Sequence, residues 1–528
     1  MSDQDLQFKL KRVAARVRAS SGDRLAFCLA LAGQGPEPPR PEFAYAQTLL
    51  APLAQDARLY WIGTLYSLML GKDQRKRQAA YFTPPALADR LISLAEAQGC
   101  DLRHATVLDP AAGGAAFLAT VGARMRAVGR APEDCMAALK GIELDPDLAI
   151  LSRALIGRSL DLDLPVRGGS IRTGDALKLR PGAPVDLVLA NPPFGRRLGD
   201  GLNGIRWRWV ASPGHVNLYA LFTALALRSV KPGGLVGLVI PASFVGGPFY
   251  DRLRQHIRRR AQVLSLGMVD NRDDHFLDVA QDVCLLLLRR QASGHLADAS
   301  VSFGTINAQA SWIDTGRAVL PPDPAAPWEL PPQQGEGSAG GATLADYGVN
   351  VQAGYLVWNR EKDRLREHSG DGAAPLYWAC NIRPGEVCLP RARKREGVDY
   401  VAFEQPSSAV IHDGAVLLQR VTNSRQKRRL VAGLAPASPE GFTTENHVIL
   451  LRPTRPDADL ALVCALLNTQ AADDRYRRLS GTASLSVKLL RRLDLPRPDV
   501  FSEALARLGD PERAAAEAFG ADARRSAA

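Results

Sequence analysis

Apolar residues change rhythm several times along this chain, and the changes mark its parts. Over residues 1–80 they recur at helical spacing, with Phe43 to Leu70 amphipathic and poor in Gly and Pro, which predicts an N-terminal helical region. The run GKDQRKRQ then reads as a charged, solvated connector. From 81 to 292 short apolar runs alternate with helix-length segments. Strands are predicted at Ala105–Asp109, Ala138–Leu144, Val166–Ile171, Asp186–Ala190, Leu235–Ile240, Val263–Val269 and Val283–Leu288, with KPGG as a turn before the fifth. Thr83 and Pro84 take the cap and first turn of a helix through ALADRLISLAEA. Such alternation predicts an α/β fold, a doubly wound and mostly parallel sheet covered on both faces. The rhythm fails over 293–343, where PPDPAAPWELPPQQGEGSAGG reads as a Pro/Gly-rich linker. Residues 344–528 are expected to form a mixed α/β domain with short strands (Ala415–Gln419, His447–Leu451) and a helical, frayed tail.

Composition narrows the setting. No apolar run among the 528 residues approaches the roughly 20 that a membrane span needs. The opening MSDQDLQFKLKRV lacks a signal-peptide core, so a cytoplasmic protein is expected. The seven cysteines are scattered, none in a CxxC and none at metal-ligand spacing, which suits reduced thiols and no metal site. A net charge of +11 and a pI near 9.4 point to a polyanionic partner.

The candidate chemistry lies at strand ends. The fourth predicted strand runs into Asn191-Pro192-Pro193-Phe194, where two prolines stop the ladder and hold their neighbours extended. The corner offers the Asn191 side chain, two carbonyls and an aromatic face, but no strong base. That set suits gripping an exocyclic amino group of a planar ring. Asp109, Glu143 and Asp175 each follow one of three successive strands, so a parallel sheet brings all three to one edge. Glu143 stands where an acid accepts two ribose hydroxyls, Asp175 could accept from an adenine amino group, and Asp109 could receive a ligand ammonium. The small-residue turn Asp109–Leu118 lets a ligand approach the backbone, but it lacks GxGxxG spacing and has no basic cluster for a pyrophosphate. A nucleoside with a cationic, amino-acid-like arm fits these groups, and S-adenosylmethionine has those parts.

In order, YFTPP, DPAAGGAAFL, GIELDP, GDAL and NPPF resemble the motifs of N6-adenine DNA methyltransferases of the gamma arrangement, over roughly Tyr81–Arg290. The resemblance implies a Rossmann-like methyltransferase sheet using S-adenosylmethionine. It places Thr83, Asp109 and Gly113 around the methionine part, Glu143 at the ribose and Asp175 at the adenine, with Tyr81 and Ala111 also binding the cofactor. Asn191 would serve both the donor and the target. Asn191 and the Pro192 carbonyl would hold the two N–H bonds of a flipped-out adenine, with Pro193 fixing the turn and Phe194 and Phe276 against the ring. Ala115 departs from the family pattern, which commonly has a second glycine there.

The long segment Gly195–His215 carries Arg196, Arg197, Arg206 and Arg208 and is expected to close on DNA. In the C-terminal domain Arg420, Asn423, Arg425, Lys427, Arg475, Arg478 and Lys488 have the chemistry of phosphate and base contacts. Here GYLVWNREKDRL, APLYWACNI, LLQRVTNSRQKRRL, ENHVILLR and LSGTASLSVKLLRRLDLP resemble type II restriction–modification methylases of the PstI type. That implies a stand-alone enzyme marking adenine in a short duplex site, with a separately encoded nuclease as partner. Two other readings stay open at this point: an rRNA or protein amino-group methyltransferase, and a non-catalytic DNA specificity subunit.

Overall fold

Four helices come first in the computed structural model: α1 (Asp3–Ala19), α2 (Arg24–Leu31), α3 (Pro41–Leu50) and α4 (Gln55–Met69). The structure describes residues 3–20, 22–71, 82–162, 170–180, 182–195, 207–211, 216–247, 249–269, 282–292, 300–323, 326–328, 341–370, 372–388, 399–403, 407–421, 428–479 and 484–526. The amphipathic stretch from Phe43 is two helices, because the chain turns at Ala51–Ala54 between α3 and α4. Helix α4 is buried along most of its length, from Leu59 to Met69. It cannot therefore be a surface helix with one wet face.

The alternating region forms β1 (Val107–Asp109), β2 (Leu139–Glu143), β3 (Ser170–Thr173), β4 (Val185–Ala190), β5 (Val230–Pro241), β6 (Ala261–Val269), β7 (Val283–Arg290), β8 (Ser300–Ile306) and β9 (Trp312–Val319). Between them lie α5 (Pro85–Ala97), ahead of β1, then α6 (Ala116–Ala127), α7 (Pro132–Ala138), α8 (Pro146–Ser159), α9 (Leu218–Ser229) and α10 (Asp251–Arg260). The strands make one nine-stranded sheet in the order β3-β2-β1-β4-β5-β7-β6-β8-β9. Strands β3, β2, β1, β4 and β5 run parallel to one another, while β7 is antiparallel to both β5 and β6. The sheet is the mixed, mostly parallel one that the strand–helix alternation predicts. Its core joins Leu87, Leu91, Val107, Leu118, Leu187, Leu189, Leu285 and Leu287, all fully buried. Each such side chain contributes roughly 1.5–3 kcal/mol.

Several boundaries differ from those read in the sequence. KPGG is no turn between elements: Lys231–Gly234 bulges inside β5, and the pairing with β4 steps from Val185↔Val230 to Leu187↔Leu235 around it. The segment 293–343 is not linker throughout, since β8 and β9 fall within it and extend the sheet. Of the predicted strand Val166–Ile171, Ser170 and Ile171 fall in β3, and residues 166–169 lie outside the described residues. Helix α5 is capped by Pro84 without a side-chain hydrogen bond, so Thr83 is not its cap but a buried residue preceding it.

The chain divides into two units, residues 1–244 with 249–326, and residues 245–248 with 327–528. The helices of 1–80 are thus no separate domain. Leu10, Trp61 and Leu65 share one buried cluster with Leu148, Leu151 and Leu155 of α8. In the second unit a six-stranded sheet includes Val349–Ala353, Ala415–Gln419 and Val448–Pro453, a four-stranded sheet stands apart from it, and helices include Leu460–Leu467, Gln470–Leu479 and Pro498–Leu508. Among the described residues no helix is long and apolar enough to cross a membrane.

Candidate active site

The strand order fixes where a ligand fits. From β1 the chain moves outward through β2 to β3, then returns to place β4 on the other side of β1. This reversal opens a crevice at the carboxyl ends of β1 and β4. In consecutive slots along that edge come Asp175 after β3, Glu143 closing β2, Asp109 closing β1, and Asn191 after β4. Neighbouring slots are separated by the ~4.8 Å spacing of paired strands.

Each group is held by its backbone surroundings. Asp109 is buried, and its Oδ1 accepts from the Ala111 N–H at 2.9 Å. Burial, with the negative charge of Glu143 in support, pushes its carboxyl up to about 7. Glu143 Oε2 accepts from the Gly113 N–H and Oε1 from the Asp145 N–H, both at 2.8 Å. Burial still raises its pKa against those two bonds. The Leu144 backbone adds a third such interaction, so of a carboxylate's roughly four lone-pair positions Glu143 retains only part for a ligand. Gly174 N–H donates to the Glu143 carbonyl at 2.8 Å and fixes the turn that carries Asp175. Asp175 itself accepts from the Leu177 N–H at 3.1 Å.

The small-residue turn has two left-handed residues, Gly113 at φ 51° and Ala115 at φ 59°. Gly113 needs to be glycine twice over, because a Cβ there would lie 2.8 Å from the Phe82 ring. Ala115, where the family commonly has glycine, takes the left-handed conformation at a cost of roughly 1–2 kcal/mol and caps α6. The pattern in GIELDP has a local cause: Asp145 caps α8 through the Asp147 and Leu148 N–H groups, and Pro146 fills the first helical position.

At the fourth slot Pro192 is buried, while Asn191, Pro193 and Phe194 are half-buried. Phe194 lies against the apolar core of the sheet. The Gly195 carbonyl accepts from the Leu218 N–H at 3.0 Å, which ties the end of the corner to the start of α9. The edge therefore carries Asp109, Ala111, Gly113, Glu143, Asp175 and the 191–194 corner, with Thr83 buried just before α5. Tyr81, Arg196, Arg197, Arg206, Phe276, Asn423, Arg425 and Lys427 lie outside the described residues.

Of the other basic candidates, Arg208 and Lys488 are exposed, and Arg420 spends one N–H on the Asn446 carbonyl at 3.0 Å. Arg475 corrects the sequence reading. It is 9% exposed, pairs with Asp494 and lies 4.2 Å from the centre of the Phe519 ring, so its charge is used inside the second unit. Sequence reasoning also missed residues. Leu144, beside Glu143, is an apolar side chain left 60% exposed at this edge. Phe82, within YFTPP, lies against Gly113 and Gly114 of the small-residue turn. Gly63, a lone glycine within a helical pattern, is the kind of position that signals a close backbone approach.

Residues 60–316 match the model of the N-6 DNA Methylase family. The chain is 25% identical over 304 residues to the type II methyltransferase M.BsuBI of Bacillus subtilis, across 54% of this chain and 60% of that protein. It is 23% identical over 300 residues to M.PstI of Providencia stuartii, across 53% and 59%. The chain thus spans three-fifths of the length of these relatives. A cryo-electron-microscopy structure of a DrdV–DNA complex is similar with a TM-score of 0.51 at 11% identity, over 88% of this chain and 61% of that one, a likeness of fold. Residues 60–316, which hold the row of acids and the Asn-Pro-Pro-Phe corner on one sheet edge, are the part of the chain that is similar to the N-6 DNA Methylase family.

Proposed function

We propose that this protein is a site-specific DNA adenine methyltransferase. It would transfer a methyl group from S-adenosylmethionine to N6 of an adenine swung out of a short duplex site, as the modification part of a restriction–modification system whose nuclease is encoded separately. One observation carries the reading: an acceptor-lined, base-free corner stands at the switch point, one strand away from a graded row of acids.

The residues present fit the donor. Glu143 would accept from a ribose diol, Leu144 would supply an apolar surface for the base, and Asp175 stands one slot outward for its amino group. Asp109, buried and easily protonated when nothing cationic is near, suits an ammonium group, which would draw it to the ionised form. When bound, the donor supplies an electrophilic methyl group on a positively charged sulfur. The amino nitrogen of adenine is a poor nucleophile because its lone pair is shared with the ring. Asn191 and the Pro192 carbonyl, accepting from both N–H bonds, localise that pair and aim it. Phe194 gives the extruded base an aromatic face, and stacking offsets about 1–3 kcal/mol of the cost of extrusion. Acceleration then comes from positioning and electrostatics.

The test is transfer of a tritiated methyl group to duplex DNA, followed by nucleoside analysis. N6-methyladenine is expected. Label on RNA, protein or another base would replace the substrate assignment, and DNA binding without any transfer would make the chain a specificity subunit.

A further inference from the structure

Helix α4 reaches the donor edge by two arms. On the first, Gly63 meets the donor turn backbone to backbone: a Cβ on Gly63 would lie 3.2 Å from the Gly114 Cα, and one on Gly114 3.3 Å from the Gly63 Cα. The Phe82 ring covers Gly113 and Gly114 beside this contact, and Ser152 of α8 donates its hydroxyl to the Gly113 carbonyl. On the second, the Tyr66 hydroxyl donates to the Asp145 carboxylate at 3.3 Å. Arg24 of α2 donates to the same hydroxyl oxygen through Nε at 3.2 Å and lies over the ring, 5.4 Å from its centre. Burial raises the Tyr66 pKa, so the hydroxyl keeps its proton at neutral pH.

Gly63 and Tyr66 are three residues apart and share one face of α4. Their two arms end on the two oxygens of one carboxylate. The Gly113 N–H, in the turn that Gly63 supports, holds Glu143 Oε2, and the N–H of Asp145, whose side chain Tyr66 holds, binds Oε1. We propose that the N-terminal helical layer is a working part of the donor site, with Gly63 and Tyr66 as positioning residues that orient Glu143. This rests on the reading of Glu143 as the acceptor for the ribose of S-adenosylmethionine. It gives the helices of the first 70 residues a role, and it accounts for a glycine in the middle of a buried helix where alanine is intrinsically better.

The test is calorimetric titration of the full chain with S-adenosylmethionine and S-adenosylhomocysteine, with thermal unfolding and duplex DNA affinity measured on the same samples. Tyr66→Phe removes only the hydroxyl. It is expected to weaken both ligands by about 3–10-fold, the usual worth of one hydrogen bond, with the unfolding midpoint and DNA affinity nearly unchanged. It should also raise the donor KM by more than it lowers kcat. Gly63→Ala should weaken donor binding further and speed amide exchange at Gly113. Unchanged donor affinity in Tyr66→Phe, with Glu143→Ala impaired, overturns the positioning role and leaves the donor reading standing. A loss of donor affinity matched by an equal loss of folded protein makes both residues merely structural. Failure of the wild-type chain to bind either ligand sinks the donor reading itself.

Discussion

Asn191 and Asp109 end adjacent strands, and the tasks proposed for them differ, so their expected phenotypes differ too. On the proposed reading, Asn191→Ala removes an acceptor needed only while the amino group is being attacked. A fall of at least about 10²–10³ in turnover is expected, as for loss of one preorganised polar group in a closed site, with donor affinity changed by less than about threefold. Equal loss of both would make the corner a support for the donor. Asp109 predicts a pH dependence. With its carboxyl raised to about 7, it is mostly neutral at pH 6 and mostly ionised at pH 8. A cationic arm binds the ionised form, so donor affinity should rise by roughly tenfold between those two values, with proton release near pH 7. Calorimetry in buffers of different ionisation heat measures both, and a flat profile would remove Asp109 from the donor site. The unliganded protein follows the opposite sign. A carboxyl raised on folding contributes stability below its ordinary range near pH 4, and that contribution is lost as pH climbs through 7.

Helix α8 is the element on which both the sheet and the N-terminal helices lean: Ala149 and Ile156 belong to the sheet core, Leu148, Leu151 and Leu155 to the helical cluster. Leu151→Ala should therefore cost about 2–5 kcal/mol and lower one cooperative transition of the first unit. A separate early transition of the N-terminal helices would contradict the shared core. At this level much was legible in the sequence. Asp109, Glu143, Asp175 and Asn191 could be placed because buried parallel strands read as continuous apolar runs, and the residue that ends a run marks the edge. Strands β8 and β9 were not legible for the reverse reason. Along Trp312–Val319 burial does not alternate, and the edge strand carries Asp314 and Arg317 among half-exposed neighbours. The basic run around Arg475 misled because helix Gln470–Leu479 turns Asp473, Arg475 and Tyr476 inward, which a count of charges does not reveal. Gly63 and Tyr66 were silent because their partners stand about 50 and 79 residues away, and contact at that separation leaves no local pattern.

For the molecule as a whole the charge of +11 carries a prediction about salt. If duplex DNA is the partner, its affinity should fall log-linearly with ionic strength, by about 10³–10⁵-fold between 50 and 200 mM if six to ten phosphates are contacted. Arg475→Ala should leave that slope unchanged, because its charge is already matched by Asp494, whereas Lys488→Ala should flatten it by close to one contact. Fluorescence anisotropy across a salt series decides both. The order of strands has a last consequence. If the corner grips a ring as proposed, then, because corner and acids hang from four successive rungs of one ladder, the gap that a carbon atom must cross is ruled by the pitch of hydrogen bonding. Any change elsewhere in the chain that leaves those rungs paired would leave that gap in calibration.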